Sequence, residues 1–321
     1  MGGVTTLQQD LVRLDDIRDA AARVSGLVVR TPLLPCPWAD DLWLKPESLQ
    51  PIGAFKLRGA TNALHRLDLE RRSAGVITHS SGNHGQALAY AGRALGIPVT
   101  VVMPDVSTPL KIEATRGYGA EVILVPQSQR EIVAGQLVAE RGLTLIPPYD
   151  HPDIIAGQGT VGLEIFEDLS SVDVVLVPVG GGGLSSGVAT AVKSLAPRVA
   201  VIGVEPAVAA DAAESLAAGV VRTLPEARML STVADGLRTP LSELTLAHLS
   251  AYLDAIITVT EEEILDAVKT LARKARLIAE PSGAVTTAAV LHHRDALPAG
   301  RTVAVVSGGN LDPKLAATLF A

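Results

Sequence analysis

Four consecutive glycines stand out in the run Val177-Pro178-Val179-Gly180-Gly181-Gly182-Gly183-Leu184, where an apolar stretch gives way to a helix-forming one. Glycines at such a junction let backbone N–H groups converge on an anion, and the N-terminus of the following helix adds the positive end of its dipole. The pattern is not a dinucleotide fingerprint, since no acidic residue follows at the expected distance, nor a Walker loop, which needs Lys-Ser/Thr after the last glycine. It suits one isolated phosphate. A tight turn without a ligand is the simpler alternative, but fewer glycines would make one.

The second group is an amine. Lys56, one of seven lysines, lies in Pro51-Ile52-Gly53-Ala54-Phe55-Lys56-Leu57-Arg58-Gly59-Ala60 among apolar and small residues. An amine in such surroundings loses its proton more easily and can attack an aldehyde, although a solvated surface position is the commoner fate of a lysine. Ser80-Ser81-Gly82-Asn83-His84-Gly85-Gln86 follows a strand-forming run, Gly75 to Thr78, so hydroxyls, an amide and N–H groups gather where α/β sheets bind ligands. They could hold a carboxylate, or Ser81 or Asn83 could simply cap a helix. Ser307-Gly308-Gly309-Asn310 ends another strand, and Glu280-Pro281-Ser282-Gly283 is a similar polar turn.

Positioning these groups requires a sheet. Short β-branched runs alternate with Gly/Pro/Ser turns and alanine-rich amphipathic stretches, which predicts an α/β protein with parallel sheets. The predicted strands are Gly75 to Thr78, Val99 to Met103, Glu121 to Val125, Val172 to Val177, Val199 to Val204, Ala255 to Thr258 and Thr302 to Val306. Helices are predicted near His84 to Leu95, Leu110 to Tyr118, Arg130 to Arg141, Gly159 to Leu169, Leu184 to Leu195, Glu261 to Lys274 and Ala284 to His292. Three successive units from Gly75 to about Ile146 have the size of a small inserted domain. The expected division is 75–151 for that domain, and 1–74 with 152–321 for a larger one, with a ligand cleft between them.

Composition excludes several classes. A net charge of −7 and the lack of a long basic run argue against a nucleic-acid partner. Cys36 is the only cysteine, so no intramolecular disulfide or cysteine metal cluster can form, and a reducing, cytoplasmic setting is expected. Met1 to Asp16 contains no apolar core of signal-peptide length, and runs such as Val172 to Val179 are too short to cross a bilayer.

Taken together and in this order, the lysine box, Ser-Ser-Gly-Asn-His-Gly, the tetraglycine and Ser-Gly-Gly-Asn resemble the fold-type II pyridoxal-phosphate enzymes. The resemblance is to the serine/threonine dehydratase and serine racemase family in particular, and runs from Ile17 to Asp312. It implies a two-domain tryptophan synthase β-like fold and pyridoxal 5'-phosphate held as a Schiff base on Lys56, with Phe55 beside the ring. Asn83 would bond the cofactor's 3'-oxygen, Gly180, Gly181, Gly182 and Gly183 with the Leu184 N–H would hold the phosphate, and Ser307 would meet the pyridine nitrogen. Lys56 would then remove the α-proton of a hydroxy amino acid, whose carboxylate would sit among Ser80, Asn83, His84 and nearby N–H groups.

The resemblance also marks Ser81. Many dehydratases of the family carry alanine there, whereas eukaryotic serine racemases and the related 3-hydroxyaspartate dehydratases carry serine, whose hydroxyl serves the opposite side of the α-carbon. Arg130 and Thr239 fall where the racemase has an arginine and a serine near the substrate; Arg130 could equally be a solvated helix residue. Glu205-Pro206-Ala207-Val208-Ala209-Ala210-Asp211 resembles the family's cation loop, implying Mg2+ or Ca2+ on Glu205, the Ala209 carbonyl and Asp211. Ala210 stands where an acidic residue is often found, and a metal-free helix start is the alternative. The resemblance implies a serine/threonine-type ammonia-lyase that forms a homodimer, with serine racemase or threo-3-hydroxyaspartate dehydratase as alternatives. A non-catalytic amino-acid-binding protein on the same fold is the remaining possibility.

Overall fold

The computed structural model describes residues 11–80 and 82–321, and the chain folds as an α/β protein around two sheets. Among the described residues ten strands form them: β1 (Leu34–Pro35), β2 (Leu42–Pro46), β3 (Val76–His79), β4 (Val99–Pro104), β5 (Glu121–Val125), β6 (Thr144–Leu145), β7 (Val174–Pro178), β8 (Ala200–Pro206), β9 (Ala255–Val259) and β10 (Thr302–Val306). The larger sheet has the order β1-β2-β10-β7-β8-β9, parallel except for the pairing of β1 with β2. The smaller, β5-β4-β3-β6, is parallel throughout.

The valine-rich runs behave as parallel strands covered on both faces do. Alternate residues of the large sheet enter two different cores. Leu44, Leu176, Val204, Ala304 and Val306 pack towards the Pro281–His292 helix, while Val175, Val177, Val201, Val303 and Val305 pack towards Gly183–Leu195. Local signals start several helices. At Glu261–Thr270, for example, Thr260 Oγ1 accepts the Glu263 N–H while the Glu263 carboxylate accepts that of Thr260.

Each predicted strand is present within a few residues, and the helix over Arg130–Arg141 has the predicted bounds. One predicted helix starts earlier: Gly159 to Leu169 is the end of Pro152–Asp168, opened by a His151 cap and Pro152, with Gly157 and Gly159 interrupting its apolar pattern. Strands β1, β2 and β6 were not anticipated, two of them being only two residues long.

The helix Lys56–Arg66 is also new. Gly59, Thr61 and Asn62 are poor helix formers, and tertiary contacts compensate. A Cβ on Gly157 would stand 2.6 Å from the Gly59 Cα, and Asn62 Nδ2 donates to the Asp153 carbonyl at 2.7 Å. Leu57, Ala60 and Leu64 of this helix share a core with Val76, Leu88 and Val101 around the small sheet. Among the described residues no helix is long and apolar enough to cross a membrane.

Candidate active site

A cavity of about 440 Å³ opens at the carboxyl ends of β3, β7 and β10, the usual position for ligands in α/β sheets. It brings together Phe55, Lys56, Ser80, Asn83, His84, Arg130, the four glycines, Leu184, Thr239 and Ser307. Glu205, near the end of β8, and Ala209 and Asp211, just after that strand, are not among its lining residues. Ser81 lies outside the described residues.

Lys56 opens its helix and sends Nζ to the Pro148 carbonyl, 2.7 Å away, with the Phe55 ring 5.0 Å from it. Desolvation by the surrounding protein lowers its pKa to about 8. A larger share of the amine is therefore neutral near pH 7 than for a solvated lysine, and neutral amine is the nucleophile. Two backbone contacts tie this segment to the end of β10: the Phe55 N–H donates to the Ser307 carbonyl at 3.0 Å, and the Gly309 N–H to the Gly53 carbonyl at 2.8 Å.

The tetraglycine needs all four of its glycines. A Cβ at Gly181 would stand 2.6 Å from the Tyr149 ring, at Gly183 2.9 Å from the Tyr149 Cβ, and at Gly180 2.9 Å from the Leu237 Cα. Gly182 has φ +85° and would meet Thr245 at 2.7 Å. The loop feeds the Gly183–Leu195 helix, whose start has no side-chain cap. First-turn N–H groups without intrahelical acceptors therefore border the cavity, in an arrangement suited to an anion. Glycines that leave no room for side chains and a helix start with N–H groups to offer make this cradle fit a phosphate monoester, and the amine of Lys56 fits an aldehyde on the same molecule.

Asn83 has its amide oriented by neighbours. Nδ2 donates to Glu280 Oε1 at 2.6 Å and Oδ1 accepts from Asn310 Nδ2 at 2.7 Å, so one amide hydrogen has no acceptor among the described residues. Burial, with the nearby Asp235 charge, raises the Glu280 carboxyl to about 7. Ser307 Oγ sits at the end of β10, 3.4 Å from the Ser282 carbonyl. Ser80 Oγ accepts the Gly85 N–H at 3.1 Å and the Gly82 N–H at 3.3 Å. Asn83 is itself the first residue of the helix Asn83–Leu95 and so does not cap it, while Ser80 takes up an N–H of the first turn.

His84 is buried, and desolvation lowers its pKa to about 3, so the ring is neutral. Its Nε2 lies 3.1 Å from the Ile146 carbonyl. A carbonyl can only accept, so the ring proton sits on Nε2 and Nδ1 is left as a buried acceptor without a partner among the described residues.

Several lining residues were not singled out from the sequence: Lys111, Glu131, Tyr149 and Asp235, with Glu280 read only as part of a turn. Lys111 Nζ reaches Asp235 Oδ2 at 2.8 Å. Scarcity of lysine was the one signal that could have drawn attention to it; nothing local marks the others.

Comparison with known proteins agrees with this geometry. The chain is 41% identical to the L-threo-3-hydroxyaspartate ammonia-lyase of Saccharomyces cerevisiae, over 95% of each chain. It is 41% identical to the catabolic L-threonine dehydratase of Staphylococcus aureus, over 96% of this chain and 92% of that one. Maize serine racemase has a similar structure, with a TM-score of 0.91 and 38% identity, covering 96% of this chain and 97% of that one. The family model described as pyridoxal-phosphate dependent enzyme matches residues 24–308, and with relatives this similar over nearly their full length, the chain belongs to that family.

Proposed function

We propose that this protein is an ammonia-lyase that converts a small hydroxy amino acid, such as L-serine, L-threonine or threo-3-hydroxyaspartate, to a 2-oxo acid and ammonia. The observation that carries the reading is the Lys56 amine, lowered to about 8 and facing the cavity that the tetraglycine borders. Pyridoxal phosphate supplies an electron sink for the pair left on the α-carbon when its proton departs. The Gly180–Gly183 loop and the Leu184 N–H hold the phosphate, and the remaining Asn83 amide hydrogen serves the 3'-oxygen. Ser307 meets the ring nitrogen with an uncharged hydroxyl, which does not force that nitrogen to stay protonated and so favours elimination over transamination. Phe55 flanks the ring.

Lys56 takes the α-proton as general base. Lys56, now carrying that proton, can return it to the β-hydroxyl, which leaves as water, and the later hydrolysis consumes one water, so the net change is amino acid to 2-oxo acid plus ammonia. Ser80, Arg130 and Thr239 border the substrate region, and backbone N–H groups near Asn83 and His84 receive the carboxylate. The neutral His84 ring, with its proton on the Ile146 carbonyl, lines this region without donating to the carboxylate, which its neighbouring N–H groups receive. Residues 75–151 form the small lobe, and 1–74 with 152–321 the large one; strand membership of the two sheets supports this division, with the Lys56–Arg66 helix crossing from the large lobe's part of the chain to pack on the small sheet. A homodimer in a reducing, cytoplasmic setting, which the single buried Cys36 suits, completes the reading.

Likeness to a serine racemase supports a second activity, with Ser81 exchanging the proton on the face opposite Lys56. Incubation with the three amino acids, followed by assay of oxo acid and chiral analysis of recovered serine, tests both. Oxo acid is expected, and Ser81→Ala is expected to keep it while losing D-serine. No oxo acid from any of the three would sink the ammonia-lyase, and D-serine formation unchanged in Ser81→Ala would remove the role given to that hydroxyl.

A divalent cation on Glu205, the Ala209 carbonyl and Asp211 is part of the same proposal. The donors fit: both carboxylates are buried, and Asp211 Oδ2 has no partner among the described residues. Glu205 accepts the N–H groups of Ala212 and Ala213 at 3.2 and 2.8 Å, which leaves lone pairs for an ion. Burial raises Glu205 to about 8 and Asp211 to about 7. For groups raised in the folded state, the stabilisation is complete below their unfolded values near ~4 and is lost as pH rises through the folded ones. Without an ion, stability should thus decline towards pH 8, and a cation, which favours the ionised carboxylates, should offset the decline. Mg2+ or Ca2+ is expected to raise the melting temperature more at pH 8 than at pH 6, and to do so no longer in Asp211→Asn. Identical melting in chelator and in Mg2+ or Ca2+ at pH 8 would remove the metal from the reading.

A further inference from the structure

Beneath the Lys56 helix lies a cluster of four charged side chains that the chemistry above does not use. Arg58 is fully buried and engages two carboxylates. Its Nε and Nη2 donate to Glu47 Oε2 and Oε1 at 2.7 and 2.8 Å, and its Nη1 and Nη2 to Glu164 Oε1 and Oε2 at 2.6 and 2.8 Å. Nη1 also donates to Thr160 Oγ1 at 3.0 Å. Lys45, equally buried, donates to Glu164 Oε2 at 2.6 Å, so two cations face two anions.

Such a cluster is a poor source of stability, because apolar side chains of the same volume would avoid the desolvation cost of buried ions. What it supplies is direction. A guanidinium paired bidentately on two sides tolerates little rotation, unlike an apolar cluster. The partners come from separate places: Glu47 follows β2, and Glu164 lies on the Pro152–Asp168 helix.

Lys56 stands two residues before Arg58 in the same helix. Successive residues turn by about 100°, so the two side chains leave the axis about 200° apart, on nearly opposite faces. With Arg58 fixed on one face, Lys56 must face the cavity. Axial position is fixed separately, by the Phe55 N–H on the Ser307 carbonyl. Desolvation by burial lowers the Lys56 pKa, and the Arg58 guanidinium leaves the other face of the helix, engaged by its two carboxylates. The link between the two residues is therefore geometric.

We propose that Arg58 is a positioning residue for Lys56: clamped by Glu47 and Glu164, it sets the rotation of the Lys56–Arg66 helix and so aims the Lys56 amine. The proposal rests on Lys56 being the residue that reacts with pyridoxal phosphate. Arg58→Lys keeps the charge but lacks the fork; Glu164→Gln keeps the shape but cannot accept on both oxygens. Each is tested for turnover, for melting temperature, and for the rate at which borohydride fixes pyridoxal phosphate to Lys56, read by mass spectrometry of the peptide.

Because small misplacement of a reacting group costs up to about 100-fold, each folded variant is expected to lose about 10- to 100-fold in kcat with KM little changed. Labelling of Lys56 should slow in parallel, while the pH midpoint of labelling stays put. Ile264→Ala, in the apolar core on another helix, is the control for lost stability and should keep both rates. If Arg58→Lys does not fold, Glu164→Gln decides. Variant rates no lower than those of Ile264→Ala overturn the proposal, as does a labelling midpoint moved by a pH unit, which would mean electrostatic tuning. Failure of the reading beneath it is distinguishable, since the unaltered protein would then show no labelled Lys56.

Discussion

Lys56→Ala is expected to leave a folded protein without measurable turnover, a fall in kcat of at least ~10³-fold given what a positioned base contributes and the loss of the cofactor's attachment point as well. Folding should survive. The lysine is the residue whose charge the site disfavours: desolvation holds its pKa near 8, below the ordinary value of 10.5. A basic group lowered in the folded state gives full stability only above its unfolded value, and loses it as pH falls towards the folded one. At pH 7 that penalty is on the order of 3 kcal/mol at most, so removing the amine should leave the melting temperature equal or higher. The same shift sets a pH dependence: labelling of the unaltered protein by pyridoxal phosphate should accelerate as pH rises through about 8, where the neutral amine becomes the main form. Turnover retained by Lys56→Ala would refute the assignment outright.

Gly187→Ala is expected to be the most damaging single-methyl change away from the cavity. Alanine is the better helix former by about 1 kcal/mol, and Gly187 lies inside the Gly183–Leu195 helix. At this point, however, the Pro152–Asp168 helix crosses backbone to backbone. An added Cβ would stand 2.3 Å from the Ile155 carbonyl oxygen, 2.5 Å from the Gly159 nitrogen and 2.8 Å from the Gly159 Cα. No flexible side chain can give way, so the helices must separate, and overpacking of this kind costs about 1–3 kcal/mol or more. A net loss of about 2 kcal/mol is expected, with weaker cofactor binding because the displaced helix carries the tetraglycine at its start. Gly135→Ala is the contrast. It lies inside Arg130–Arg141 with nothing within 4 Å of the added methyl, and should gain roughly 0.5–1 kcal/mol. Thermal melting of both variants, with cofactor titration of the first, checks the pair; Gly187→Ala melting at or above the parent temperature would show that the crossing yields.

Among the features legible in the sequence were those carried by short-range pattern. Valine-rich runs imply buried parallel strands because period and turn residues sit within a dozen positions, and β3 to β5 and β7 to β10 formed accordingly. The tetraglycine was legible for the same reason, since a strand, four glycines and a helix are contiguous. Lys56 alone was not, and drew its meaning from the company of the other motifs.

Tertiary structure decided what local pattern cannot encode. The Lys56–Arg66 helix contains poor helix formers and depends on Gly157, Asp153 and Glu164, all about a hundred residues away. Asn83 is oriented by Glu280 and Asn310, 197 and 227 positions along the chain. The proton of His84 is directed by a carbonyl on another segment, Ile146. Local sequence could specify which chemical groups this protein carries because type and spacing are written along the chain. Only the folded chain could specify where they point and how they titrate, because direction and desolvation come from neighbours that packing brings near.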